Sequence, residues 1–215
     1  MKNLLKKEFA LAMHPTAPVF LMLSAMLLIP NYPYYVVFFY TGLAVFFTCL
    51  NGRENHDIAY TVQLPVAKRD VVKARFAFVL ILEGAQMVIA VPFALLRQSF
   101  PMPGNEVGMD ANLSLFAFSF VLLGLFNLIF FSIYYKNVRQ VGKAFVASSS
   151  AVFLYMAVME VLTHMIPFLR DQMDTRDPQY LPQKLLVLAA GVLIFALLTW
   201  AAYQQSVRSF EAQDL

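Results

Sequence analysis

Apolar residues fall in blocks of membrane-spanning length along this chain, separated by short polar segments. A helix needs about 20 mostly apolar residues to cross a hydrocarbon core of about 30 Å. Residues 15–50 are almost uncharged and broken only by Pro30-Asn31-Tyr32-Pro33, a pattern that predicts two antiparallel spans joined by a tight turn. Both lie near the lower limit of about 17 residues for a span. Further blocks predict spans at about 72–96, 113–134, 144–166 and 183–203, so the expected fold is an all-α integral membrane protein with six transmembrane helices.

Two polar stretches break this pattern. Residues 2–13 set Leu4, Leu5, Phe9 and Met13 on one helical face and Lys2, Lys6, Lys7 and Glu8 on the other, as an amphipathic helix in the headgroup plane would. The long interruption at residues 51–75 holds five of the sixteen Lys and Arg residues. Inside it, 57–64 has the length of about two helical turns. Pro65 stops that helix, and a second one starts near Lys68 and runs on into apolar sequence. A flexible connector is rich in Gly and Ser. This one instead interleaves Ile58, Tyr60, Val62, Leu64 and Val66 with charge, which points to a small rigid element that docks a protein at the membrane face.

Composition agrees with the pattern: 60% of residues are hydrophobic and 13% charged, with a mean hydropathy of +0.65. Soluble proteins carry about 25% charged residues. The spans leave no room for a soluble domain of about 50 residues or more, so residues 1–215 read as one transmembrane domain. The N-terminus lacks a small-residue cleavage site after a short apolar core and is expected to be retained. Twelve of the sixteen Lys and Arg fall on the side of the termini and the long loop, and four (Arg97, Arg170, Arg176 and Lys184) on the other. The positive-inside bias therefore places both termini and residues 51–75 in the cytoplasm. The net charge of +3 is mostly this topological signal, and no basic face is left to suggest nucleic acid. Tyr32, Tyr34 and Tyr35 outside, with Tyr134, Tyr135, Trp200 and Tyr203 inside, have the placement of interfacial aromatic belts. The outer loops at 97–112 and 167–182 are each too small to fold alone, and no internal repeat is evident.

The chain offers little catalytic chemistry. His14, His56 and His164 are far apart and without metal-ligand spacing, and Cys49 is the single cysteine, placed for packing, so no metal site is expected. Gly142-Lys143-Ala144 lacks the Ser or Thr and the upstream Gly of a phosphate-binding loop, so the chain is not expected to bind ATP, and no catalytic residues are assigned. Glu83 and Glu160 lie within apolar spans, where an exposed charge costs on the order of 3 kcal/mol. Glu83 and Gln86 share a helical face and suggest either a polar stripe along a translocation path or interhelical hydrogen bonding with Glu83 protonated. Glu160 and His164 read as an interfacial pair, Ser148 to Ser150 as small packing residues, and the Phe-rich run at 116–131 as a lipid-facing or core surface. An intramembrane enzyme using both carboxylates is disfavoured because their depths differ.

The segment from Asp57 to Phe76, with its Leu64-Pro65-Val66, basic Lys68-Arg69, Val71-Val72 and Ala74-Arg75-Phe76 elements, resembles the stretch between the second and third helices of ABC-2 type transporter permeases. The likeness extends over the amphipathic N-terminus, the six spans and the tail at 206–215. Within that family the chain is most similar to small bacterial permeases that export peptides, such as the phenol-soluble modulin and bacitracin-type exporters. The resemblance implies a permease in the bacterial cytoplasmic membrane that moves an amphipathic or hydrophobic substrate, a peptide by this likeness, out of the cell. It further implies a second permease copy, expected to form a homodimer, and two copies of a separate ABC ATPase that bind ATP and Mg. Residues 51–75 would be the coupling loop, with Tyr60 and Leu64 as apolar anchors, Asp57 and Arg69 as flanking charges, and Pro65, Val66 and Arg75 completing the element. The competing expectation is a membrane interaction or immunity protein that transports nothing.

Overall fold

The computed structural model describes residues 2–100 and 104–213. The prolines at 101 and 103 in the first outer loop and the end of the C-terminal tail lie outside the described residues. The chain runs as α1 (Lys2–Lys7), prolonged by a π-helical turn at Glu8–Ala12, then α2 (Ala17–Met22), prolonged by a 3-10 segment at Leu23–Leu28. It continues as α3 (Tyr35–Glu54), α4 (Asp57–Val62), α5 (Lys68–Ser99), α6 (Leu113–Tyr134), α7 (Val141–Met165) and α8 (Leu181–Glu211). Among the described residues five helices are long and apolar enough to cross a membrane. Residues 2–28 add a sixth when their two halves, bent by 84°, are counted together.

That first crossing is shorter than the sequence pattern suggested. Pro15 and Pro30 bracket it, and helix fills only Ala17–Leu28 between them. The 3-10 stretch rises about 2.0 Å per residue against 1.5 Å in an α-helix, so the whole segment reaches about 21 Å. It lies antiparallel to α3. The His14 backbone N–H donates to Thr48 Oγ1 at 3.3 Å near one end of α3, and the Tyr34 hydroxyl donates to the Ile29 carbonyl at 2.9 Å at the other. The 84° bend turns α1 across the end of the bundle, the attitude expected of an interfacial helix.

Helix α6 is the core of the bundle. Its aromatic run packs inward: Phe126 stacks on Phe130 at 5.2 Å and Phe130 on Tyr134 at 5.7 Å, while Tyr135 meets Phe210 of α8 edge-on. Tyr34, Tyr35, Tyr134 and Tyr135 are all buried, so of the expected aromatic belts only Trp200 stands at the surface, with Tyr203 and Tyr32 half-buried. These rings fill interior volume beside α3 and α6, which outweighs their interfacial preference. Helices α6 and α8 approach closely at two glycines. A Cβ on Gly191 would overlap the Ala117 carbonyl, and one on Gly124 would stand 3.1 Å from Phe195 Cα. Helices α7 and α8 leave most of their surface uncovered, whereas α3 and α6 are mostly enclosed.

Contacts sort the chain ends and connections onto two faces. On one, called here the terminal face, α1 meets α4, Arg53 reaches the Arg139 carbonyl, and Lys68 reaches the Gln213 carbonyl. On the other, the two longer loops fold on each other. Asp110 N–H donates to Asp174 Oδ1 at 2.7 Å, and Asn112 Nδ2 donates to the Met173 and Thr175 carbonyls at 2.9 and 3.1 Å. The Asn112 side chain also caps α6 by accepting from Leu115 N–H. Lys184, fully buried, donates to the Thr175 carbonyl at 2.6 Å and to Asp177 at 2.8 Å. Each loop is too small to fold alone, but together they form a hydrogen-bonded cap. Glu160 joins it. The Met109 backbone hydrogen-bonds its carboxylate, and a Cβ on Gly108 would overlap that group, so Glu160 faces the cap while His164 is exposed.

Gly191→Ala is expected to lower the melting temperature of the detergent-solubilised protein, through overpacking worth about 1–3 kcal/mol. Gly84→Ala, whose added Cβ meets nothing within 4 Å, is expected to leave it unchanged or raise it. The cap is also expected to loosen with pH. Burial pushes the Asp174 carboxyl up to about 6 from the ordinary 3.8, with the Asp110 carboxylate adding to the rise and the Asp110 N–H, His164 and Lys184 opposing it. Folding therefore favours the protonated form, and this contribution is full below about pH 3.8 and lost as pH rises through about 6. Hydrogen-exchange protection factors in the two loops, which remove the intrinsic rise of exchange with pH, should fall across that window in the wild type and stay nearly level in Asp174→Asn.

Candidate functional site

On the terminal face the interruption at 51–75 folds as a helical turn on a fixed base. Helix α3 ends at Glu54, and His56, in the left-handed region at φ 51°, turns the chain into α4. Pro65 has no N–H with which to continue the helix, and the Val66 N–H reaches back across it to the Leu64 carbonyl at 2.7 Å. Ala67 is extended, and α5 begins at Lys68 as its sequence suggested.

Beneath α4 four charges close a ring. Arg75 Nε lies 2.6 Å from Glu8 Oε2, and Arg75 Nη2 lies 3.0 Å from Asp57 Oδ2. Lys7 Nζ lies 2.8 Å from Asp57 Oδ1 and 3.0 Å from Glu8 Oε1. Each cation therefore touches both anions, and the four formal charges cancel. The side chains of Arg75 and Glu8 are only 3% and 1% exposed, so the pairing replaces water that neither can reach. Lys7 also reaches Thr61 Oγ1 at 3.3 Å, and Arg75 Nη1 lies 3.6 Å from Cys49 Sγ, which brings α3 and α4 into the same junction.

The expected site residues separate into two sets. Tyr60 and Leu64 are 65% and 41% exposed, and with Pro65, Val66, Asn3 and Leu4 they line a groove of about 420 Å³ between α1 and the α4–α5 turn. Asp57 and Arg75 point the other way, into the ring. Asp57, expected as a flanking charge for a partner, is spent on Lys7 and Arg75 within the chain. Arg69 also lies elsewhere, its Nε 3.4 Å from the Tyr203 hydroxyl on α8. Lys7 and Glu8 were missed as site residues. The helical periodicity had put Glu8 on the solvent face with the lysines, but the π turn carries it inward to Arg75. The usable signal was a pair of adjacent opposite charges at the edge of an apolar block, facing a loop with unmatched charges of its own.

Deeper in the bundle Glu83 and Gln86 are both buried and hydrogen-bonded to different neighbours. Asn127 Nδ2 donates to Glu83 Oε2 at 3.1 Å and lies 3.2 Å from Thr199 Oγ1, linking α5, α6 and α8. Gln86 Nε2 donates to Ser24 Oγ at 2.9 Å and holds the 3-10 part of the first crossing against α5. In this conformation both act as interhelical ties.

Among the described residues, a bundle with five helices, or six with the bent first pair, long and apolar enough to cross a bilayer defines a multi-pass membrane protein. Residues 3–211 match the family model described as ABC-2 family transporter protein, and the chain belongs to that family. It is therefore a permease component of an ABC transporter, the class that works with an ABC ATPase. Neither the curated proteins nor the solved structures yield a match.

Arg75→Leu is expected to destabilise the protein by about 3–5 kcal/mol, because it leaves the buried Glu8 and the half-buried Asp57 with Lys7 alone to neutralise both. The triple variant Glu8→Gln, Asp57→Asn, Arg75→Leu should recover much of that loss, leaving only Lys7, which can turn to water. Thermal unfolding of the three proteins in one detergent measures the difference.

Proposed function

We propose that this chain is the permease subunit of an ATP-driven exporter in the bacterial cytoplasmic membrane, with the terminal face in the cytoplasm. The ATPase subunit docks at the groove beside α4. Tyr60 and Leu64 insert as its apolar anchors, Pro65 and Val66 shape the wall, and α1 supplies the opposite wall through Asn3 and Leu4. The observation that carries this reading is the placement of two exposed apolar side chains on a turn ion-paired to α5, because a push on Tyr60 or Leu64 would then move a membrane helix. Asp57 and Arg75 serve the coupling from within, as the clamp between α4 and α5, and not as contacts to the ATPase. The excess of Lys and Arg on the terminal face supports the orientation.

Two permeases and two ATPases make up the working unit, and the uncovered apolar face of α7, with Phe153, Leu154, Val158 and Val161, is the surface for the second permease. The cargo is an amphipathic or hydrophobic molecule, a peptide by the resemblance of the coupling loop. Glu83 and Gln86 reach the translocation path only when rocking of α5 separates them from Asn127 and Ser24.

Leu64→Asp and Tyr60→Ala are expected to insert normally yet reduce co-purified ATPase about tenfold or more, the size of effect of a buried interface anchor. Recovery equal to the wild type in both variants would remove the docking assignment. In vesicles holding both subunits, ATP should drive movement of an amphipathic peptide. A stable complex that moves none of a peptide panel would favour the interaction-protein reading instead.

A further inference from the structure

A second groove, of about 510 Å³, lies between α5 and α8 at the terminal end of the bundle, on a different side from the docking groove. Its walls are apolar, formed chiefly by Phe76, Leu80, Phe195 and Trp200, and its rim carries Arg69 and Lys73. These two cations sit one turn apart on exposed positions of α5. Arg69 is steadied by the Tyr203 hydroxyl at 3.4 Å, with Asp70 and Glu211 near enough to attract it, while Lys73 makes no ion pair among the described residues. Trp200, 59% exposed, and Tyr203 mark the same level of the bundle as an interfacial zone.

The shape and charge together select the occupant. From Arg69 to Leu80 the groove follows α5 for about 16 Å along the helix axis, the direction an acyl chain takes from the headgroup level into the bilayer. A bound peptide would need partners for its backbone amides, yet the deep wall offers chiefly the Thr199 hydroxyl, already engaged by Asn127. A second copy whose two-fold axis passed through this rim would bring Arg69 and Lys73 against their own counterparts, an unfavourable like-charge contact. We propose that this groove holds an anionic phospholipid, its phosphate between Arg69 and Lys73 and one acyl chain along Phe76, Leu80 and Trp200. The site uses the membrane itself as ligand and does not depend on which cargo the permease moves or on which ATPase drives it.

Trp200 is the only tryptophan of the chain and stands in the groove wall, so its fluorescence reports the occupant directly. The full-length protein is reconstituted into phosphatidylcholine vesicles containing a low mole fraction of either acyl-brominated phosphatidylglycerol or acyl-brominated phosphatidylcholine. The anionic lipid is expected to quench Trp200 with an apparent affinity on the order of tenfold higher, the scale set by two basic side chains at a lipid surface. Arg69→Gln with Lys73→Gln should bring the two lipids level, whereas Lys143→Gln, a cation on the same face away from the groove, should keep the preference. Equal quenching by both lipids in the wild type overturns the proposal, whatever the folding of the variants. A preference that survives the double variant overturns it as well, and so does loss of the preference on adding inorganic phosphate, which would mark a site for the free anion.

Discussion

The ring of Lys7, Glu8, Asp57 and Arg75 is the constraint on which the terminal face depends. Buried charge is tolerated only where each ion finds its complement, and here every member has two. Satisfying Arg75 requires α1 to lie across the end of the bundle and its backbone to take a π turn at Glu8–Ala12. Satisfying Asp57 requires α4 to sit directly over α5, although Pro65 breaks the helix between them. The backbone alone would leave a loose joint at Leu64 to Ala67. The ring closes that joint through space, so the turn that carries Tyr60 and Leu64 belongs mechanically to the long helix α5.

The rest of the bundle divides the work between enclosed and open elements. Helix α6 fills the interior with stacked aromatics and admits α8 at Gly191 and Gly124. Buried side-chain ties, Asn127 to Glu83 and Gln86 to Ser24, join α5 to α6 and to the first crossing, so a displacement of α5 strains contacts on both sides. At the far end the paired loops hold α5, α6 and α8 together through Gln98, Asn112 and Lys184. Helices α7 and α8 are left with broad apolar faces toward lipid or a neighbouring subunit.

Much of this was legible from periodicity and breakers. The span at 113–134 matches α6 in full and the start at Lys68 follows from the return of an apolar stripe, whereas α4 ends at Val62, two residues short of the expected 57–64. The first crossing was less legible because two prolines shorten it and a 3-10 stretch supplies its missing reach. Composition places Tyr34, Tyr35, Tyr134 and Tyr135 at interfaces, yet all four are buried, Tyr134 and Tyr135 against Phe130 and Phe131 and Tyr35 against Tyr155. Glu8 was assigned to solvent because helical periodicity treats any charge near a membrane edge as exposed. Its partner Arg75 lies on α5, four helices further along the chain, a relation no local pattern carries. The sequence places Asp57 and Arg75 in the loop expected to couple, but their bonding to each other and to α1 emerges only from the folded arrangement.

The central claim, that the charge ring makes α4 and α5 one rigid body, is tested most directly by a distance measurement between them. Spin labels at Ala59→Cys on α4 and Ile81→Cys on α5, in a Cys49→Ala background diluted with excess unlabelled permease so that each pair holds at most one labelled copy, report that separation by pulsed electron resonance in lipid. A single narrow distance distribution is predicted, unchanged when ATPase and nucleotide are added, and broadened when Arg75→Leu opens the ring. A broad distribution in the unaltered ring, or one equally narrow after Arg75 is lost, would contradict the account.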